Sequence, residues 1–127
     1  MKLEQTTGSL REFAERLFAF IEELTGNRPH LRDSPWYRVE TARGRAFLFL
    51  RLIGHRAKRN PPNSIHLAAR WEEQLKGPRV HEGTNWFESH RSVDLVVRAD
   101  QPEELDMALE FVRLAHQIRN PNQCQIS

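Results

Sequence analysis

An α+β fold of two layers, with N- and C-terminal helices packed on one face of a mostly antiparallel four-stranded sheet, is what the sequence predicts. Two observations lead there. Long stretches of helical periodicity stand near both ends of the chain, over residues 9–24 and 100–119. Between them lie four shorter runs that either alternate polar with apolar residues or are apolar throughout, as half-buried and fully buried strands do.

In the first helical stretch Leu10, Phe13, Leu17, Phe20, Ile21 and Leu24 recur at three- and four-residue spacing, the stripe of an amphipathic helix. Ser9 and Glu12 have the spacing of a capping box, and Gly26 supplies a left-handed end. Residues 26–35 form a polar connector with two prolines. Residues 36–41 alternate, with Tyr37, Val39 and Thr41 on one side and Trp36, Arg38 and Glu40 on the other. A turn at 42–45, with Gly44 at positive φ, joins this strand to residues 46–53, whose apolar faces suit the most buried strand of the sheet.

The segment 54–63 (GHRAKRNPPN) is expected as an exposed loop, since its two prolines cannot continue a ladder. Ile65, Leu67, Ala69 and Trp71 mark a third strand, and residues 71–76 a short helical turn ended by Gly77 and Pro78. Residues 79–90, with scattered histidines and the Trp86–Phe87 pair, follow neither pattern and are left unassigned. A fourth strand spans 91–98, with Val93, Leu95 and Val97 inward and Asp94 outward. In the second helix Asp100 is the expected cap, Pro102 lies in the first turn, and Glu103, Glu104 and Asp106 oppose the positive end of the dipole.

A chain of 127 residues, 39% hydrophobic and 28% charged, is expected to fold as one domain over residues 1–127, with 1–8 and 121–127 as flexible tails. The longest dense apolar run, 46–53, is far short of the roughly 20 residues that a membrane-spanning helix needs. No secretory pattern opens the chain, so the cytoplasm is the expected compartment. The single cysteine, Cys124, excludes an internal disulfide.

Net charge is only +2, yet it is unevenly spread. Residues 28–59 hold nine basic side chains against Asp33 and Glu40, whereas the flanking segments are net acidic. Arg38, Arg43, Arg45, His55, Arg56, Lys58 and Arg59 are therefore the candidate anion-binding residues, with nucleic acid or another polyanion as the expected partner. Trp36 and Tyr37 beside them could stack on unpaired bases.

The hairpin YRVETARGRAFLFLRL, the stretch GTNWFESHRSVDLVV and the closing helix PEELDMALEFVRLAHQI carry a family likeness across residues 36–117. Taken in that order they resemble the C-terminal domains of unknown function of predicted transport proteins and, more distantly, the MmcQ/YjbR double-wing group. The resemblance implies a fold and a DNA-related context, and assigns no catalytic residue.

Other chemistries are less well signalled. His55, His66, His81 and His90 with Glu82 and Asp94 lack the close pair spacing of a metal site, and neither a Walker loop nor a GxGxxG stretch is present, so no metal and no cofactor is expected. The leading expectation is a non-enzymatic domain that binds a polyanion. An alternative is a protein-interaction or homodimerisation module, because Met107, Phe111, Leu114 and Ile118 widen the apolar face of the last helix beyond the Leu105, Leu109 and Val112 stripe. A third is a small hydrolase-like enzyme using His90 and Asp94, with Ser89 and His66 nearby as further acid/base or nucleophile candidates.

Overall fold

The computed structural model describes residues 1–33, 35–54 and 61–120. Helix α1 (Gly8–Thr25) is followed by strands β1 (His30–Asp33), β2 (Trp36–Glu40), β3 (Ala46–Ile53) and β4 (Ser64–Arg70), then by β5 (Val80–Trp86), β6 (His90–Arg98) and helix α2 (Glu104–Arg119). All strand pairs are antiparallel, in the order β1-β2-β3-β4-β6-β5. The class is therefore the α+β class expected. The sheet has six strands instead of four, because β1 forms inside the expected connector and β5 inside the unassigned segment. Short 3-10 turns occur at Leu3–Gln5 and Glu73–Leu75, and a tight turn with left-handed backbone at Glu88 and Ser89 joins β5 to β6.

Strand alternation sorts the sheet into two faces. Tyr37 and Val39 of β2 sit opposite Leu50 and Leu48 of β3, and Leu50 and Leu52 sit opposite Leu67 and Ile65 of β4. Leu67 and Ile65 in turn face Leu95 and Val97 of β6. All of these side chains are buried in one cluster with Leu10, Phe13, Leu17, Phe18 and Ile21 of α1 and Ala108, Phe111, Val112 and Ala115 of α2. Both helices thus cover the same face. Full burial of each leucine contributes about 1.5–3 kcal/mol, so this layer is the main stabilising element.

The helix ends differ from expectation. Helix α1 begins at Gly8 after Thr7, whose side chain makes no cap bond, so Ser9 lies inside the helix. Gly26 does close it, at φ 77°. Helix α2 starts four residues beyond Asp100, which instead pairs with Arg98 at 3.0 Å. The buried carboxylate of Glu104 takes over the entry: it accepts the backbone N–H of Arg98 at 3.2 Å and the guanidinium of Arg79 at 2.6 Å. The wide apolar face of α2 is accommodated, since Phe111 is buried and Met107, Leu109, Leu114 and Ile118 are half-buried against the core.

Tyr37 belongs to this core and not to the binding surface expected of it. Its ring packs edge-on against Phe18 at 5.0 Å, and its hydroxyl accepts the backbone N–H of Leu3 at 2.7 Å. The N-terminal segment is therefore pinned at the Leu3–Gln5 turn, with Leu3 and Thr6 buried. Among the described residues no helix is long and apolar enough to cross a membrane.

Candidate functional site

The face opposite α1 and α2 is built from the other half of the alternation: Trp36 and Arg38 of β2, Phe49 and Arg51 of β3, His66 and Ala68 of β4, and Ser92 and Asp94 of β6. A surface of this kind mixes polar, aromatic and basic side chains where the opposite one is almost wholly apolar. The tip of the β2–β3 hairpin is tied by the Gly44 N–H to the Thr41 carbonyl at 2.9 Å, with Gly44 at φ 81° as the turn requires. Arg43 and Arg45 project from this tip as exposed side chains.

A groove of about 510 Å³ runs along that end of the sheet, lined by Arg38, Arg43, Arg45 and Arg119 together with Trp86 and Phe87. Among the described residues only Arg38 of these four has an acidic ion-pair partner, Glu40 at 2.7 Å. Arg119 arrives from the last turn of α2. Burial pushes its guanidinium pKa down, and repulsion from Arg70 and Arg45 adds to that, with Glu72 opposing. Such mutual repulsion marks a place where an anion would be stabilised. Of the expected anion-binding set, Arg38, Arg43 and Arg45 are brought together here, whereas His55, Arg56, Lys58 and Arg59 lie outside the described residues.

Behind the groove, aromatic rings gather on the same face. Phe49, Trp86 and Phe87 stand 4.8–5.2 Å apart, centroid to centroid, in tilted or edge-on contacts. The Arg38 guanidinium lies 5.3 Å from the Phe87 ring and that of Arg51 lies 5.1 Å from Trp36, distances at which a cation is attracted by an aromatic face. Phe87 remains 40% exposed.

A buried polar network underlies these rings. His66, 6% exposed, donates from Nε2 to Oδ2 of the fully buried Asp94 at 2.6 Å. Asn85 donates its side-chain amide to the same oxygen at 2.6 Å, and the Ser92 hydroxyl donates to Oδ1. Burial alone would raise the Asp94 pKa, but the three hydrogen bonds together hold it below the usual carboxylate value. The approach of β5 to this carboxylate needs Gly83, because a Cβ there would lie 2.8 Å from Asp94 Oδ1.

This network does not have the connectivity of a nucleophilic relay. Ser92 and His66 both bind Asp94, whereas a relay would place the hydroxyl on the second imidazole nitrogen, and His66 Nδ1 has no hydrogen-bond partner. His90 is exposed and four residues from Asp94 along β6, a separation of about 13 Å in an extended strand. The carboxylate therefore engages His66 and not His90. Ser89 is exposed at φ 62°. Among the described residues no group of three or more histidine, cysteine, aspartate or glutamate side chains could hold a metal ion.

Sequence reasoning missed Arg119, Trp86 and Phe87 as partners of the hairpin arginines. The Trp86–Phe87 pair was the available signal, but placing it required β5. Compared with protein-family models, curated proteins and solved structures, the chain matches none.

Proposed function

We propose that this chain binds a polyanion, foremost single-stranded nucleic acid, through the arginine groove at the hairpin end of the sheet. The observation that carries the reading is the convergence of Arg38, Arg43, Arg45 and Arg119 on one groove with two aromatic rings in its wall. Phosphates would be held by planar guanidinium groups, which suit bidentate contact, while the rings tolerate any base. The groove has the charge and shape to bind such a ligand. A lone cysteine suits a reducing, cytoplasmic setting for such a domain.

Fluorescence anisotropy with single- and double-stranded DNA and RNA at two salt concentrations tests the reading. Binding is expected to weaken with salt. Replacing Arg43 and Arg45 together by glutamine should flatten the logarithmic salt slope by about 0.7 for each single-strand phosphate no longer neutralised. Absence of salt-sensitive binding at micromolar protein would remove the reading.

A further inference from the structure

We infer that the slot beside the groove, walled by Trp36, Phe49, Trp86 and Phe87, is a seat for one unpaired nucleobase of a strand whose phosphates occupy the arginines. This inference rests on the polyanion reading and goes beyond it by separating a base site from the phosphate site. The slot measures about 300 Å³, at the small end of ligand pockets and suited to a single planar ring system. Among the described residues, none from α1 or α2 lines it.

Three features indicate that the slot is held open by the fold. Phe87 is the large hydrophobic side chain left exposed among the described residues, although Phe49 and Trp86 lie within 4.8–5.2 Å of it. The next two residues, Glu88 and Ser89, both take left-handed backbone, at φ 53° and 62°, which side-chain-bearing residues adopt reluctantly. Beneath, Asn85 is fastened by its amide to Asp94 and by its backbone N–H to Ser92 Oγ at 3.0 Å, so the base of the loop is anchored.

The choice of occupant follows from charge. Arg38, Trp86 and Phe87 line both the slot and the arginine groove, so a ring in one would carry its phosphate toward the other. Glu88, also at the slot, repels a phosphate there and favours the orientation with the phosphate among the arginines. An aromatic peptide side chain would fill the slot equally well but leave Arg43, Arg45 and Arg119 unused.

The test compares a fluorescent single-stranded oligonucleotide with a strand of the same length whose bases are replaced by abasic residues. Wild-type protein is expected to bind the base-bearing strand on the order of tenfold more tightly, as the loss of a base–aromatic stack implies. Phe87→Ala should abolish that preference, Phe87→Tyr should retain it, and Arg43→Gln with Arg45→Gln should weaken both strands alike. Equal salt-sensitive binding of the two strands by wild-type protein would overturn the base seat and leave polyanion binding intact. A folded Phe87→Ala variant that keeps the full preference would overturn it too. Failure to bind either strand would overturn both readings.

Discussion

The two faces of this sheet are made from alternate residues of the same strands and solve different problems. Toward the helices, Leu48, Leu50, Leu67 and Leu95 meet side chains of α1 and α2 in a layer held by apolar packing, into which Tyr37 brings one hydroxyl, bonded to the Leu3 N–H. On the other face the alternate positions His66, Ser92 and Asp94 are equally buried but held by hydrogen bonds, while Trp36, Arg38 and Phe49 stay half-exposed. Burial on the first face yields stability; on the second it fixes the loop that carries Trp86 and Phe87. The difference lies in what a truncation leaves behind. A shortened leucine leaves a void, whereas a shortened aspartate leaves unpaired donors.

The sharpest way to break the contrast is Asp94→Ala. Removing the carboxylate deprives His66, Asn85 and Ser92 of their acceptor together, and a loss of about 3–5 kcal/mol is expected in urea unfolding. The same group sets an acid limb. Because its folded pKa is lowered, its stabilisation is present above the ordinary carboxylate pKa of about 3.9 and disappears as pH falls toward the folded value. In Asp94→Asn the unfolding midpoint should lose this part of its acid dependence.

On the aliphatic face Leu50→Ala is expected to cost about 2–5 kcal/mol, with Leu109→Ala milder because that side chain is only half-buried. Equal losses at the two leucines would show that α2 is packed more tightly than its exposure implies. Gly83→Ala should cost about 1–3 kcal/mol, as overpacking against a fixed neighbour does, and the loss should shrink in an Asp94→Ala background, where the clash is absent. Smallest of all, Arg43→Gln with Arg45→Gln should leave thermal unfolding within about 0.5 kcal/mol of the parent, since both are exposed and neither has an acidic partner among the described residues.

What could be read from the chain depended on how local the cause was. Helix α1 and strand β3 follow from periodicity within their own residues, and the observed β3 has the expected bounds. Strand β1 has only four residues, HLRD, too short for alternation to register, and exists through its pairing with β2. Strand β5, VHEGTNW, is an edge strand whose Gly83 and Asn85 serve Asp94 and whose side chains are mostly exposed, so neither apolar pattern is present. The alternation of β2 had already placed Tyr37 with Val39, and burial followed that pattern. The His66–Asp94 pair was beyond local reading because it depends on β4 lying next to β6, an order that passes over β5. For the same reason Arg38, Arg43 and Arg45 were legible as a basic hairpin, whereas Arg119 joined them only through packing of the last helix.

Tyr37 is the sole tyrosine of the chain, which turns one buried hydroxyl into an optical gauge. Burial raises its pKa above the usual value of 10.0, while the N–H of Leu3 favours the ionised form and so limits the rise. Any phenolate absorbance from this protein therefore comes from a single group wedged between α1 and the first residues of the chain. Ionising it in place would put a charge against Phe18 while strengthening the bond from the Leu3 N–H, so a displaced N-terminal segment, which exposes the hydroxyl, should bring the absorbance rise to lower pH. The docking of the N-terminal segment can in this way be followed by ultraviolet absorbance alone, without a label.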